Sequence, residues 1–184
     1  MTPPGERIRV ELDAGASFAG SQPNRLFLQD EDGFVDLSGV SGLDSFGDGR
    51  AWAWSDLDRD GRPDVVVVSA NAPLLQVFNN QMEGAGSVLA VRLVGEGANR
   101  DGIGAKVVVK TAAGRLAQER RAGEGFASQN SATLLFGLGE QTGTESVTVS
   151  WPSGKRTSVR FVRAGTLLTL HEDGAVEKEP WVRP

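Results

Sequence analysis

A nine-residue segment, 56–64, carries the most specific chemistry in the chain. Asp56, Asp58, Asp60 and Asp64 stand at relative positions 1, 3, 5 and 9, with Gly61 at position 6. Alternate residues of a tight loop can direct carboxylates toward one centre, and Ca²⁺ takes about six to eight oxygen ligands. Glycine allows the sharp backbone turn that such a loop needs. The spacing therefore predicts a calcium-binding loop.

The charge of this segment favours the same interpretation. Four carboxylates within nine residues repel one another unless a cation lies among them. The alternative is an acidic, solvated surface turn, because Asp and Gly are common in turns.

The residues on either side of the loop predict strands. An EF-hand needs a glutamate at loop position 12 and flanking helices, but position 12 is Val67. Residues Val65–Val68 are four consecutive β-branched residues, which favour a buried strand. In residues Arg50–Ser55, small and aromatic side chains alternate with the period of two that is typical of a strand. The loop is thus expected to join two strands, with Trp52 and Trp54 packed in a core or between sheets.

Other candidate sites are weaker, and we assign no catalytic residue. His171 is the only histidine, and a triad needs a positioned nucleophile beside it. The serines in turn segments lack a Gly-x-Ser-x-Gly context. Asp30, Asp32 and Asp36 could form a second acidic loop, but their spacing does not supply the full set of calcium-ligand positions. The loop Asn99–Asp101 has two open interpretations, a capped structural turn or a ligand-contacting loop.

Composition excludes several classes of protein. The formal charge is −5, and removing the four loop aspartates leaves 20 acidic against 19 basic residues. No basic patch indicates nucleic-acid binding, and no apolar run approaches the ~20 residues of a membrane span. Cysteine is absent, so no disulfide can form. No signal peptide is visible at the start of this chain.

Short strands separated by turn signals, together with 24 glycines, predict an all-β, antiparallel sandwich or barrel. Ile8–Leu12 is the first predicted strand, and Leu116–Ala122 is ambiguous between helix and strand. Val159 and Phe161 are expected to face inward. We predict three regions: residues 1–83 with the loop at 56–64, residues 84–172, and a polar, loosely held tail at 173–184.

The first region resembles the FG-GAP or VCBS repeats of integrin-type β-propellers. The similarity covers Gly49–Asp56 running into the aspartate loop and Val65–Val68, the hairpin residues Asn24–Leu28 and Asp32–Phe34, and Leu75–Asn80. A propeller needs about four to eight blades, so the resemblance implies a single blade-like unit. We expect this unit to pack against the second region, with a homodimer through its open edges as the next expectation.

The resemblance also implies a ligand set for calcium. By position in the repeat, the ligands would be the carboxylates of Asp56, Asp58, Asp60 and Asp64 and the backbone carbonyl of Arg62.

The second region resembles an ASPIC/UnbV domain. Four segments carry this similarity in order: Asn99–Val107, Gly125–Ser131, Phe136–Gly139 and Val149–Lys155. The domain follows FG-GAP-like repeats in the cartilage acidic protein family, which this arrangement resembles.

The resemblance implies an extracellular or cell-surface calcium-binding protein. We expect a non-enzymatic β module for adhesion or recognition, in which Ca²⁺ is structural, with an extracellular, cell-surface or periplasmic location and an unidentified protein or glycan ligand. The alternative is a metal-dependent hydrolase or carbohydrate-active enzyme, which would need two carboxylates flanking a cleft.

Overall fold

A computed structural model describes residues 22–30, 32–84 and 86–181, together with positions 3, 6, 14 and 17. The strand predicted at Ile8–Leu12 lies outside these residues. The all-β prediction is confirmed: the described elements are strands, apart from one four-residue helix. Within the described residues, no helix has the length and apolar character needed to cross a bilayer.

The chain divides into two compact units. The first comprises residues 1–53, 65–79 and 125–128, and the second comprises residues 54–64, 80–124 and 129–184. The sequence prediction placed the loop at 56–64 in the region 1–83. By its contacts, the loop instead groups with the second half of the chain.

The first unit is built from a hairpin and a three-stranded sheet. Its elements are β1 (Phe27–Asp30), β2 (Gly33–Asp36), α1 (Ser38–Ser41), β3 (Gly49–Ser55), β4 (Asp64–Ser69) and β5 (Leu75–Phe78). The last two residues of β3, Trp54 and Ser55, and the first residue of β4, Asp64, group with the second unit. Strands β1 and β2 pair antiparallel, as the Asp32–Gly33 turn predicts. Strand β4 lies between β3 and β5. The aspartate loop therefore joins two strands, as predicted.

The second unit contains two four-stranded sheets. Its strands are β6 (Ser87–Val94), β7 (Lys106–Thr111), β8 (Gly114–Glu119), β9 (Leu134–Gly139), β10 (Ser146–Ser150), β11 (Arg156–Arg160), β12 (Thr166–His171) and β13 (Val176–Pro180). The orders are β11-β10-β7-β8 and β13-β12-β6-β9. The pair β12–β6 is parallel, and the other neighbouring pairs are antiparallel. Among the described strands, neither sheet closes into a barrel and no propeller forms.

The main hydrophobic core lies between these two sheets. Burial alternates along β7, where Val107 and Val109 are fully buried, and along β10, where Val147 and Val149 are fully buried. Strands β6, β9 and β12 supply the facing side chains, among them Leu89, Val91, Phe136, Leu168 and Leu170. Period-two burial shared by two sheets is the signature of a sandwich, and this confirms the predicted architecture.

Strand β6 is buried on both of its faces. A second cluster on the opposite face of its sheet comprises Val88, Ala90, Leu167 and Trp181. This explains the nearly continuous apolar sequence of β6, because a strand covered on both sides does not alternate.

Three local expectations differ from the structure. The segment beyond residue 173 is not a loose tail: β13 pairs with β12, and Trp181 is buried. Phe161 does not face inward, because β11 ends at Arg160 and Phe161 has φ +52° with its side chain 76% exposed. Trp52 is 56% exposed and is not a core residue. The ambiguous segment Leu116–Ala122 contributes to strand β8.

Candidate metal site

The aspartate loop is positioned by the strands that flank it. Asp56 follows the last residue of β3, and Asp64 is the first residue of β4. Between them, Arg59 and Gly61 adopt left-handed backbone conformations with φ +61° and +91°. Gly61 takes such a φ without steric cost, so the predicted turn glycine is where the backbone requires it.

Three of the four predicted aspartates come together. Carboxylate oxygens of Asp56, Asp58 and Asp64 all lie within 4.8 Å of one another. Asp64 is fully buried and Asp56 is 7% exposed, whereas Asp58 is exposed. Two buried carboxylates beside a third make a local concentration of negative charge that an added cation would relieve.

Backbone N–H groups of the loop orient the Asp56 carboxylate. Its Oδ1 accepts a hydrogen bond from the Asp60 N–H at 3.1 Å, and its Oδ2 accepts one from the Gly61 N–H at 2.9 Å. The indole Nε1–H of Trp181 donates a further hydrogen bond to Oδ2 at 2.7 Å. The guanidinium of Arg59 lies 5.2 Å from the centroid of the Trp181 ring, a cation–π distance.

The buried Asp64 carboxylate connects the loop to the segment after β5. Its Oδ2 accepts the Leu57 N–H and its Oδ1 accepts the Asn80 N–H, both at 2.8 Å. Asn80 also accepts a hydrogen bond from Arg62 Nε through its carbonyl at 2.7 Å. Asp64 thus has neutral donors on both oxygens, which makes its burial tolerable.

Asp60 and Arg62, also predicted as ligands, have a different arrangement. Asp60 Oδ1 accepts the Arg62 N–H at 2.8 Å, and Asp60 Oδ2 pairs with the Arg62 guanidinium. Asp60 lies outside the group of three converging carboxylates. The roles of the Asp60 carboxylate and the Arg62 carbonyl as ligands stay predictions.

The donor set of this site fits a hard cation. Calcium–oxygen distances of 2.3–2.6 Å place ligands on opposite sides of the ion about 4.6–5.2 Å apart. The oxygens of the three carboxylates lie within 4.8 Å of one another, which is compatible with one such shell. Asp56 Oδ2 already accepts two hydrogen bonds, but each of the three carboxylates still has lone pairs beyond those used by the N–H groups. Asp56, Asp58 and Asp64 are therefore the residues that would hold a metal.

Sequence reasoning missed two residues of this site, Trp181 and Asn80. Trp181 is a large aromatic residue in an otherwise polar segment, which is the one local sign that the segment is anchored. Asn80 gives no comparable signal, because its backbone N–H makes the contact to Asp64 and any residue except proline has that group.

The loop around Asn99 is held by its own side chain. Asn99 Oδ1 accepts the Ile103 N–H, and Asn99 Nδ2 donates to the Ile103 carbonyl, both at 2.9 Å. The Gly95 N–H donates to the Arg100 carbonyl at 2.9 Å. These contacts favour the structural interpretation of this loop over the ligand-contacting one.

Residues 95–177 match the family model described as ASPIC and UnbV. An ASPIC/UnbV domain occupies this part of the chain. The ASPIC/UnbV segment includes β7 to β12 and reaches into β13. A comparison with curated proteins gives no match.

The second unit extends beyond the ASPIC/UnbV segment. Strand β6, which lies between β12 and β9, precedes residue 95, and Trp181 follows residue 177. The aspartate loop belongs to the same unit although it lies more than 30 positions before the matched segment. The compact unit thus combines the ASPIC/UnbV domain with residues outside it.

Proposed function

We propose that this chain is a calcium-binding, non-enzymatic β module of an extracellular type, serving adhesion or recognition, with Ca²⁺ in a structural role. The resemblance of the first region to FG-GAP or VCBS repeats supports the calcium assignment. The ASPIC/UnbV domain at residues 95–177 is consistent with the order of domains in the cartilage acidic protein family.

The convergence of Asp56, Asp58 and Asp64 carries the proposal. Their oxygens lie within 4.8 Å, and two of the three side chains are buried. Burying neighbouring carboxylates costs free energy that a bound divalent cation would offset. The N–H groups that orient Asp56 and Asp64 give the loop a preformed shape, which lowers the cost of ordering it around an ion.

The contacts of these aspartates support a structural role for the ion. Asp56 is hydrogen-bonded to Trp181 and Asp64 to Asn80, so an ion shared by the two would stabilise segments distant in sequence. A ligand that binds only the folded state at one hundred times its Kd stabilises that state by about 2.7 kcal/mol.

The test is thermal unfolding and calorimetric titration with Ca²⁺, with Mg²⁺ and with a chelator. We expect Ca²⁺ to raise the Tm and to bind with one site per chain. Asp58→Asn should reduce the affinity, whereas Asp101→Asn, at another exposed aspartate, should leave it unchanged. Equal melting curves in Ca²⁺ and in chelator would refute the calcium assignment.

Trp52 supports a glycan as the recognised partner. Its side chain is 56% exposed and lines a cavity of about 340 Å³ together with Leu26, Leu43 and Arg50. An exposed tryptophan offers an apolar face on which a sugar ring can stack. Screening against a glycan array should give binding that Trp52→Ala removes and Phe126→Ala, at another exposed aromatic, retains. Binding to a protein partner alone would refute the glycan assignment and leave the calcium assignment intact.

The hydrolase alternative has less support. Cavities of about 290, 340 and 330 Å³ are each lined by residues other than the loop aspartates. A carboxylate-based hydrolase needs its acids beside a substrate cleft.

A further inference from the structure

A cavity separate from the aspartate loop lies in the second unit, beside the end of β8. Its volume is about 290 Å³. Trp54 and Leu134 supply apolar walls, and Gln118, Arg120 and Asn130 supply polar groups. This mixture of apolar walls and a few polar groups is typical of small-ligand sites, and the volume lies just below the ~300 Å³ at which their usual range begins.

Arg120 is the unusual residue of this cavity, because it is a charged side chain that is only 5% exposed. Its backbone is fixed by two hydrogen bonds, from the Arg120 N–H to the Ala105 carbonyl at 2.9 Å and from the Gly104 N–H to the Arg120 carbonyl at 2.7 Å. Its guanidinium Nη1 donates to the Arg121 carbonyl. Arginine stays protonated in proteins and offers five N–H donors.

The buried charge of Arg120 has no carboxylate partner among the described residues. The ion pairs of this unit within the described part of the chain are formed by other side chains. Burial of a charge without a counter-charge is costly. A buried arginine without a counter-charge that lines a cavity is suited to receiving an anion from outside the chain.

The two acids of the cavity wall do not serve as that counter-charge. Glu124 is held by others: Arg121 Nη1 lies 3.2 Å from one of its oxygens, and Asn130 Nδ2 donates to the other. Asn130 is fixed in turn, because its Oδ1 accepts the Trp54 N–H at 3.0 Å. Glu119 is exposed at the rim and would disfavour an anion there. An anionic group is therefore expected at Arg120 and away from Glu119.

We propose that this cavity binds a small organic anion through a carboxylate or phosphate group held by Arg120. The planar guanidinium can pair with either group through two parallel N–H···O hydrogen bonds. Trp54 and Leu134 would contact the apolar part of the ligand. This site is independent of the metal loop, so either assignment can fail without the other.

The experiment is a titration of the ¹⁵N-labelled protein with succinate and, separately, with inorganic phosphate, at constant ionic strength. We expect saturable shifts of the Trp54 indole and Arg120 Nε–H signals with at least one probe. A response to succinate alone would assign a carboxylate ligand, and a response to phosphate alone would assign a phosphate ligand.

Two variants distinguish specific anion binding at Arg120 from a general effect of the protein's positive charges. Arg120→Lys keeps the charge but removes the two-pronged geometry, so the Kd should rise about tenfold or more. Arg115→Met, which removes an exposed charge on the same strand β8, should leave the Kd unchanged. No saturable shift with either anion would overturn the proposal, as would equal weakening by both substitutions.

Discussion

The indole N–H of Trp181 donates a hydrogen bond to Oδ2 of Asp56 at 2.7 Å, although the two residues lie 125 positions apart in the sequence. Both side chains are buried. Asp56 belongs to the aspartate loop, whereas Trp181 follows the last strand of the second unit. This contact ties the candidate metal site to the C-terminal strand of the sandwich.

We therefore expect Trp181→Phe to destabilise the protein by about 1–3 kcal/mol, because a buried carboxylate loses one of its donors. The ring of phenylalanine preserves most of the apolar contact with Val88 and Leu167. Urea unfolding measures the effect. Trp52→Phe is the control, since Trp52 is 56% exposed and its change should stay within about 0.5 kcal/mol. Equal effects of both substitutions would contradict the proposed role of the Asp56 contact.

The effect of Asp58→Asn on the stability of the fold should depend on whether Ca²⁺ is present. Asp58 is exposed, and its Oδ1 accepts the Asp60 N–H at 3.2 Å, a hydrogen bond that an asparagine oxygen can retain. In chelator the substitution removes repulsion with Asp56 and Asp64, so stability should stay equal or rise slightly. In Ca²⁺ it removes a ligand and should lower stability.

Asp64→Asn is the matched substitution at a buried position. Each oxygen of Asp64 accepts a backbone N–H, and the amide nitrogen of asparagine cannot accept one. We expect a loss of about 1–3 kcal/mol even in chelator. The free energy of unfolding of both variants, Asp58→Asn and Asp64→Asn, is measured in chelator and in Ca²⁺. If Asp58→Asn lowers stability equally in chelator and in Ca²⁺, the metal-binding role of Asp58 is wrong.

Local sequence patterns predicted the strands around the site. The β-branched run Val65–Val68 and the alternation in Arg50–Ser55 placed the loop between two strands, as the structure has it in β3 and β4. These predictions succeed because side-chain shape and period two act within a few residues. The aspartate spacing predicted four converging carboxylates, and three of them, those of Asp56, Asp58 and Asp64, lie close together.

Strand β13 could not be read from the same patterns. Its residues, Val176–Pro180, include two glutamates and a lysine, and all five are exposed. An edge strand with charged side chains and a proline avoids pairing with other chains, but it lacks the apolar alternation that predicts a strand. The contact of Trp181 with Asp56 cannot be predicted from the local sequence either, because it depends on the pairing of β13 with β12.

The Asn99 loop gives a prediction that separates steric contact from backbone strain. A Cβ at Gly102, where φ is +61°, would lie 3.0 Å from Leu93 Cβ and 3.1 Å from the Trp151 ring. Gly97 has nearly the same φ, +60°, with nothing within 4 Å. Both Gly→Ala substitutions carry backbone strain of about 1 kcal/mol or more.

Only Gly102→Ala adds a core contact, so its loss of stability should exceed that of Gly97→Ala by about 1 kcal/mol or more. Thermal and urea unfolding of the two variants measure the difference. Equal losses would mean that the loop moves away from Leu93 and Trp151 at little cost.

Glu172 gives a prediction for acid pH. Hydrogen bonds from the Ser153 hydroxyl and then from the Glu96 N–H hold the pKa of Glu172 below its ordinary value, and the charge of Lys155 adds a smaller effect. A carboxyl whose pKa is lower in the folded state contributes stability above its unfolded pKa. That contribution is lost as the pH falls through the folded pKa, which lies below the ordinary value of a glutamate.

A ¹³C NMR titration of the Glu172 carboxyl measures this pKa directly. Ser153→Ala should raise it more than Lys155→Met does, because the hydroxyl is the larger cause and the Lys155 charge is the smaller one. Both variants should shift the loss of stability toward higher pH, in the same order. A larger shift in Lys155→Met would mean that charge, rather than the Ser153 hydrogen bond, sets the acid response of Glu172.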